Sequence, residues 1–304
     1  MNEAKIDLSE MITETRNPST MELDTMSSLE IVSEMNREDA LIPQAIRPHL
    51  EKIAQIADLG RACLQAGGRI FYLGAGTSGR LGVLDASECP PTFGVPGDRV
   101  IGLIAGGGKA VTEAVEGAED DPALAEADLK RHSLTAQDLV IGLSASGRTP
   151  YVLGGLAYAQ HIGCHTAAVS CNRDAALSRA AQIYVEVITG PEILTGSTRL
   201  KAGTAQKMIL NMISTAAMIG TGKAYRNLMV DVMPTNDKLR SRAVHIVMEA
   251  TGADARAAED ALLQAGGHCK TAIVMLLAGC GKEEASLRLQ AAGGHVREAL
   301  FSQV

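Results

Sequence analysis

The stretch Ile70-Phe-Tyr-Leu-Gly-Ala-Gly-Thr-Ser-Gly-Arg80 decides the fold class of this chain. Four apolar residues lead without a break into glycines and hydroxyl-bearing residues. A short, continuous apolar run bounded by glycine is typical of a strand buried on both faces of a sheet. The stretch Val140-Ile-Gly-Leu-Ser-Ala-Ser-Gly-Arg-Thr149 repeats this arrangement. Each stretch therefore predicts a buried strand that turns into a helix near its Ser-Gly-Arg.

Apolar runs of this kind alternate with helical segments between about residues 69 and 190. The runs are Arg69–Leu73, Arg99–Ile104, Asp138–Leu143, Thr166–Ser170 and Ile183–Ile188. Strands that alternate with helices form a parallel sheet with helices packed on its faces. The sequence therefore predicts an α/β fold of three layers.

Helical patterns flank the predicted sheet. Ser27-Ser-Leu-Glu30 has the sequence of a capping box, and a longer helical stretch runs from about Glu38 to Ala66. A long helix is predicted from about Leu200 to Thr221. Beyond Pro234, glycines separate four short helices, predicted at 236–251, 254–264, 268–277 and 282–292. We therefore expect an N-terminal helical extension (1–60), a sheet domain (61–235) and a C-terminal helical bundle (236–304).

Composition and charge exclude several classes of protein. The net charge of −7 and the aromatic content of 3% disfavour binding of nucleic acids or anionic membranes. Met1-Asn-Glu-Ala-Lys-Ile-Asp7 lacks the apolar run of a signal peptide, and the longest apolar stretch, Ala272–Gly279, is too short to span a bilayer. Six cysteines without a CxxC motif indicate reduced thiols. We expect a soluble, cytoplasmic protein.

A metal site is not expected either. The closest group of ligating side chains is His161-Ile-Gly-Cys164-His165. Gly163 within it indicates a helix end, whereas a metal needs ligands on a rigid face.

The two Ser-Gly-Arg turns are candidates for binding an anion. At the end of a parallel strand, the N–H groups of the following helix favour phosphate, and glycine allows its close approach. The alternative is a pair of ordinary tight turns. Gly74, Gly76 and Gly79 also match the dinucleotide fingerprint, but the next strand ends in Ile104-Ala-Gly-Gly-Gly108 without the required carboxylate. We therefore expect phosphate binding and no cofactor.

Two acidic segments offer carboxylates for acid–base chemistry. Leu84-Asp-Ala-Ser-Glu-Cys-Pro-Pro-Thr-Phe93 ends the helix after the first turn and contains Glu88. The second is Glu113-Ala-Val-Glu-Gly-Ala-Glu-Asp-Asp121, in which Glu116 and Asp120 have the spacing of one helix face. The alternative for the second segment is a solvated acidic helix.

These segments together resemble the N-acetylmuramic acid 6-phosphate etherase family, which carries a sugar-isomerase (SIS) domain. The resemblance extends in order over nearly the whole chain. The matching stretches are 72–82 and 84–92, Ala114-Val-Glu-Gly-Ala-Glu-Asp120, Ala145-Ser-Gly-Arg-Thr-Pro-Tyr151, Gly196-Ser-Thr-Arg-Leu-Lys-Ala-Gly-Thr-Ala-Gln-Lys207 and Cys269-Lys-Thr-Ala-Ile-Val-Met275. The resemblance implies an SIS sheet domain, a UBA-like C-terminal bundle and a homodimer.

The resemblance also implies a reaction and its residues. A lactyl ether would be removed from N-acetylmuramic acid 6-phosphate by elimination and water addition, with Glu88 as the acid toward lactate and Glu119 as the base toward the sugar. The residues implied to bind the sugar phosphate are Thr77, Ser78, Ser144, Ser146, Thr149, Thr198, Arg199 and Lys270. Lys270 begins an apolar helix, where a lysine is unfavourable unless an anion is near. The alternative for Lys270 is a surface lysine.

Two other functions remain open on the sequence. One is an aldose–ketose isomerase built on the same sheet. The other is a non-catalytic sugar-phosphate sensor similar to the glucokinase regulatory protein. That protein carries two SIS domains, whereas one SIS unit and both carboxylates are visible here, which favours the enzyme.

Overall fold

The computed structural model of the chain describes residues 11–232 and 237–301. Met1–Asp7 and Pro234, which entered the expectations above, lie outside the described residues. The chain divides into two compact units. We call them the sheet unit (Met1–Ser87 and Asp98–Ser214) and the helical unit (Glu88–Gly97 and Thr215–Val304). The domain boundaries expected after residues 60 and 235 stay predictions.

Five parallel strands form the sheet, in the spatial order β2-β1-β3-β4-β5. They are β1 (Ile70–Gly74), β2 (Val100–Ile104), β3 (Leu139–Ser144), β4 (His165–Ser170) and β5 (Ile183–Glu186). Each predicted strand is confirmed, with ends displaced by at most two residues. Because the chain moves from β1 to β2 on one side and then to β3 on the other, the topological switch point lies between β1 and β3.

The helices that begin in the sheet unit surround these strands. They are α1 (Ser28–Asp39), α2 (Ile42–Ile46), α3 (Leu50–Gln65), α4 (Gly76–Phe93), α5 (Pro122–Arg131), α6 (Pro150–Ile162), α7 (Ala176–Arg179) and α8 (Lys201–Gly220). The predicted capping box of Ser27 and Glu30 begins α1. The helical stretch expected from about Glu38 to Ala66 is divided among the end of α1, α2, a 3-10 turn at Arg47–His49 and α3.

Helices pack on both faces of the sheet, which confirms the predicted three layers. On one face, Phe71 and Leu73 of β1 share a buried apolar cluster with Leu129 of α5 and Leu156 of α6. On the other face, the hydroxyl of Tyr72 donates to the buried carboxylate of Asp85 on α4 at 2.9 Å. Two side chains of α8 donate to the other oxygen of this carboxylate, Asn211 at 2.6 Å and Ser214 at 3.1 Å.

The acidic segment after β2 differs from the sequence expectation. Residues 113–117 are turns and irregular chain, and only Ala118–Asp120 form a short 3-10 helix. Gly117 precedes that helix with a φ of +75°, a conformation that ends regular helical geometry. Glu116 and Asp120 therefore do not share a helix face.

The helical unit has its own buried core. Its helices are α9 (Asp237–Thr251), α10 (Ala255–Gln264), α11 (Cys269–Ala278), α12 (Lys282–Ala291) and α13 (Val296–Ala299), and a small antiparallel pair, β6 (Ala224–Tyr225) and β7 (Leu228–Met229), precedes them. The four predicted helices are confirmed, whereas α13 is too short for its periodicity to be detected. No single helix in the described ranges is long and apolar enough to cross a membrane. Only α10 and α11 taken together, bent by 114°, meet that criterion of length and composition.

The turn between β1 and α4 depends on close backbone packing. A Cβ atom added at Gly79 would lie 2.7 Å from the carbonyl oxygen of Gly74 and 2.6 Å from Cγ1 of Ile104. Real Cβ atoms do not approach a backbone oxygen so closely. The glycine fingerprint therefore serves to bring α4 tightly against the ends of β1 and β2.

Replacing Gly79 by alanine should destabilise the protein by about 1–3 kcal/mol, because the added methyl group meets backbone that cannot move away cheaply. Gly108→Ala is the matched control, since a Cβ there meets nothing within 4 Å. Urea denaturation measures both variants. Equal unfolding free energies for the two would show that the close approach of Gly79 is not a constraint.

A buried ion pair lies at the opposite edge of the sheet, just before β3. Arg69 contacts the carboxylate of Asp138 at 2.7 Å, and the N–H groups of Arg69 and Thr135 each donate to it at 2.8 Å. Burial alone raises the pKa of Asp138. The hydrogen bonds from Arg69 and Thr135, with the charge of Arg69, outweigh burial and hold the pKa below its ordinary value of 3.8.

Because folding lowers this pKa, ionised Asp138 stabilises the protein above the unfolded-state pKa of about 3.9, and this contribution is lost as the pH falls through the folded-state pKa. Asp138→Asn should therefore reduce the unfolding free energy by about 2–4 kcal/mol at pH 7. The difference from wild type should shrink steadily below about pH 4. Asp58→Asn removes an exposed pair with Arg61. The unfolding free energy of this variant should be close to that of wild type at every pH. A pH-independent difference for Asp138→Asn in denaturant titrations would contradict this account.

Candidate functional site

Parallel pairing of β1 with β3 places the two Ser-Gly-Arg turns beside each other. Gly74, the last residue of β1, is in register with Leu143, the residue before Ser144. The two turns begin at these adjacent strand ends. This is the switch point, where open α/β sheets bind ligands outside the carboxyl ends of the strands.

Three hydroxyl groups cluster in the turn between β3 and α6. The Ser144 hydroxyl oxygen lies 3.1 Å from that of Ser146 and 2.8 Å from that of Thr149. It also accepts a hydrogen bond from the N–H group of Gly147 at 3.0 Å. The structure thus brings together three of the residues predicted to bind the sugar phosphate. Their hydroxyls can donate to an anion without bringing a counter-charge.

The first turn leads into α4 at Gly76, followed by half-buried Thr77 and buried Ser78. The first N–H groups of a helix have no acceptor within the helix. No hydrogen bond joins the N–H group of Thr77 or Ser78 to another described residue. These groups therefore remain as donors at the positive end of the helix dipole.

The start of α8 is already occupied by a protein carboxylate. Glu192 is fully buried and accepts from the N–H groups of Lys201 at 2.9 Å and Ala202 at 3.0 Å. The next two N–H groups of the helix donate to the carbonyls of Thr198 and Leu200. Burial raises the pKa of Glu192, against these hydrogen bonds and the charge of Lys201. The sequence did not reveal Glu192, because an N-cap nine residues before the helix leaves no local pattern.

Thr77 and Thr198, two of the predicted binding residues, both lie near Gly203. A Cβ atom at that position would lie 3.4 Å from the methyl carbon of Thr77 and 3.5 Å from the carbonyl oxygen of Thr198. Gly203 therefore lies at van der Waals distance from both the beginning of α4 and the segment before α8. Arg199, the next residue of that segment, is exposed.

Glu119 lies beside the first turn. It lines a cavity of about 180 Å³ together with Gly76, Arg80, Glu113 and Glu116. Arg80, in the first Ser-Gly-Arg, donates through its guanidinium to two backbone carbonyls of the acidic segment, Val111 at 2.9 Å and Glu113 at 3.1 Å. The guanidinium thereby holds this segment against α4. The sequence offered no signal for this role.

The remaining predicted residues, Glu88 and Lys270, belong to the helical unit. Glu88 is an exposed residue near the end of α4. Lys270, the second residue of α11, pairs with Asp231 at 2.6 Å, and Asp231 also pairs with Lys223 at 3.0 Å. Burial lowers the pKa of Lys270, and the neighbouring Asp231 only partly opposes this effect. Lys270 is therefore a partly buried lysine whose anion is a protein carboxylate, and the surface-lysine alternative is wrong.

The groups considered for metal or redox chemistry are arranged as follows. His161 lies near the end of α6, and Gly163, in the left-handed conformation, separates it from Cys164 and His165. No group of three or more His, Cys, Asp or Glu side chains within residues 11–232 and 237–301 is arranged to hold a metal ion. All six cysteines are free thiols.

Comparison with known proteins shows the family of this chain. The profile of the glucokinase regulatory protein N-terminal SIS domain matches residues 52–160, and that of the C-terminal lid domain of the same protein matches residues 226–268. A candidate phosphosugar isomerase involved in capsule formation, from Bacteroides fragilis, has the same fold. Its TM-score is 0.50, with 20% identity over 66% of this chain and 95% of that one.

Two similar relatives carry the same name. The N-acetylmuramic acid 6-phosphate etherase of Pectobacterium atrosepticum is 60% identical over 99% of both chains. The protein of that name from Serratia proteamaculans is 60% identical over 97% of this chain and 99% of its own. Identity at this level over the full length shows that the chain belongs to the N-acetylmuramic acid 6-phosphate etherase family.

Proposed function

We propose that this protein cleaves the D-lactyl ether of N-acetylmuramic acid 6-phosphate, giving N-acetylglucosamine 6-phosphate and D-lactate. The observation that carries the proposal is the cavity in which Glu119 lies beside the phosphate-type turn of α4. The relatives that share 60% of the sequence bear the name of this activity. The reaction would serve recycling of cell-wall amino sugars, and we propose a cytoplasmic homodimer.

An elimination needs two carboxyl groups, one as base and one as acid, and no nucleophilic side chain. An ether oxygen is a poor leaving group, but opening of the sugar ring exposes an aldehyde at C1. The aldehyde acidifies the proton on C2, which carries the acetamido group. A carboxylate removes this proton, the C3–O bond breaks, and a carboxylic acid protonates the departing lactate oxygen. Water then adds at C3 of the alkene and gives a proton to the second group, which is now a carboxylate, while the first group returns a proton to C2.

We assign Glu119 as the base toward the C2 proton and Glu88 as the acid toward lactate. Glu119 is supported by its place in the cavity beside the first turn. Glu88 rests on its motif, Ala-Ser-Glu-Cys-Pro, and on its exposed side chain. Both groups stand at the motif positions by which the family is recognised.

We propose that the phosphate binds at the start of α4 and in the turn between β3 and α6. The N–H groups of Thr77 and Ser78 and the hydroxyls of Ser144, Ser146 and Thr149 supply its donors. Thr198 and Arg199 contribute side chains, whereas the N–H groups at the start of α8 are taken up by Glu192 and backbone carbonyls. Lys270 stays a predicted contact that rests on the resemblance.

The two other functions are distinguished by their products. An aldose–ketose isomerase would interconvert sugar phosphates without releasing lactate. A sensor would bind a sugar phosphate and turn nothing over. Lactate release from N-acetylmuramic acid 6-phosphate, measured with a coupled lactate dehydrogenase assay, separates the etherase from both.

Replacing Glu119 or Glu88 by glutamine should lower the rate of lactate release by about two to four orders of magnitude, as expected for a lost general acid or base. Glu113→Gln is the matched control, since Glu113 lines the same cavity without an assigned proton transfer. Its rate should stay within about threefold of wild type. If both Glu119→Gln and Glu88→Gln release lactate as fast as the control, the assignment is wrong.

Exchange of the C2 proton with deuterated solvent separates the two roles within this same prediction. Glu88→Ala should still exchange the proton without expelling lactate, whereas Glu119→Ala should do neither. The reverse pattern, measured by nuclear magnetic resonance, would exchange the two assignments.

Removing one hydroxyl of the second turn should weaken substrate binding. Ser144→Ala or Ser146→Ala should cost about 1–3 kcal/mol, because a charged acceptor loses a donor. Ser33→Ala, on the exposed side of α1, should have no effect. KM measurements and titration with N-acetylglucosamine 6-phosphate test this. Equal affinity of the wild type for the sugar with and without its phosphate would contradict the phosphate site.

A further inference from the structure

Asn172 connects the N-terminal segment to the turn between β3 and α6. It follows β4 and is only 4% exposed. Its side-chain amide donates to the carbonyl oxygen of Ala145 at 3.0 Å and to the hydroxyl of Thr13 at 3.0 Å. Its side-chain oxygen accepts from the N–H group of Thr13 at 3.3 Å. The two amide protons and the oxygen are therefore all engaged.

The carbonyl of Ala145 is held from one side by two donors. The N–H group of Cys171 also donates to it, at 3.0 Å. The peptide bond between Ala145 and Ser146 is planar and trans, so its C=O and N–H groups point in opposite directions. Fixing the Ala145 carbonyl toward Cys171 and Asn172 thus turns the Ser146 N–H group away from them. That group donates to no described residue.

We propose that Asn172 is a positioning residue for the phosphate ligand. By fixing the Ala145–Ser146 peptide, it presents the Ser146 N–H group on the turn that carries the hydroxyls of Ser144, Ser146 and Thr149. The Ser146 N–H group becomes a donor to the phosphate. This inference rests on the proposed function, to which it adds a backbone donor and the side chain that orients it.

The N-terminal segment is part of the same support. Thr13 is fully buried, and its N–H and hydroxyl groups fix the orientation of the Asn172 amide. The hydroxyl of Thr20 donates to the carbonyl of Ile193 at 2.8 Å, one residue after the Glu192 carboxylate that caps α8. The segment from Thr13 to Thr20 therefore holds the β3–α6 turn and the chain before α8 at once.

The substitution Asn172→Asp tests this role with little change of volume. It keeps the acceptor for the Thr13 N–H group but places a carboxylate oxygen against the Ala145 carbonyl, so that the peptide is repelled. Thr13→Val removes the hydroxyl that the amide contacts and is a milder second variant. Asp138→Asn is the matched control, since Asp138 is equally buried and hydrogen-bonded but precedes β3 at the opposite edge of the sheet.

The measurements are KM and kcat for lactate release, the inhibition constant of inorganic phosphate, and the melting temperature. Asn172→Asp should raise KM and the phosphate inhibition constant together by about tenfold, with kcat changed less than about threefold. Thr13→Val should raise both by about threefold. Asp138→Asn should lower the melting temperature and leave the phosphate inhibition constant unchanged.

A role in stability alone gives a different pattern. If Asn172→Asp and Thr13→Val lower the melting temperature while the phosphate inhibition constant stays at the wild-type value, the inference is wrong. If Asn172→Asp does not fold, the phosphate inhibition constant of Thr13→Val is the test, and a wild-type value would show that the inference is wrong. Failure of the proposed function would appear in the wild type, as absence of lactate release or of inhibition by phosphate.

Discussion

The parallel pairing of β1 with β3 is the constraint on which the candidate site depends. It places Gly74 beside Leu143, so that two turns separated by about seventy residues of sequence begin at adjacent points of one sheet edge. Both turns carry hydroxyls, and each leads into a helix. The close approach of Gly79 to Gly74 then fixes where α4 begins. A displacement of either strand by one residue would separate the donors that the proposed phosphate requires.

The N-terminal N–H groups of α4 and α8 differ in their hydrogen bonding. The N–H groups of Thr77 and Ser78 at the start of α4 have no acceptor among the described residues, whereas the first N–H groups of α8 donate to Glu192. Burial raises the pKa of Glu192, and the hydrogen bonds from Lys201 and Ala202 only partly oppose this effect. The helix capped in this way begins shortly after Thr198 and carries Gly203 in its first turn. This difference supports the proposed phosphate site at α4 and its neighbouring turn.

Local sequence patterns predicted the five strands, the two turns and four helices of the helical unit, because periodicity and glycine placement act over a few residues. The acidic segment was mispredicted as a helix, since the left-handed conformation of Gly117 overrides the spacing of its carboxylates. Contacts between residues far apart in the sequence could not be predicted, because these patterns extend over only a few residues. Asn172 meets Ala145 across 27 residues and Thr13 across 159, and neither separation leaves a trace in a sequence window.

The environment of Lys270 bears on where the phosphate binds. The helix dipole indicated an anion near this lysine, and the anion is Asp231, shared with Lys223. The three side chains together carry a single net positive charge, already arranged around a carboxylate 2.6 Å from the Lys270 ammonium. A substrate phosphate would have to compete with that carboxylate. Neutral hydroxyls and N–H groups of the sheet unit have no such internal partner of opposite charge, and for this reason we assign phosphate recognition chiefly to them.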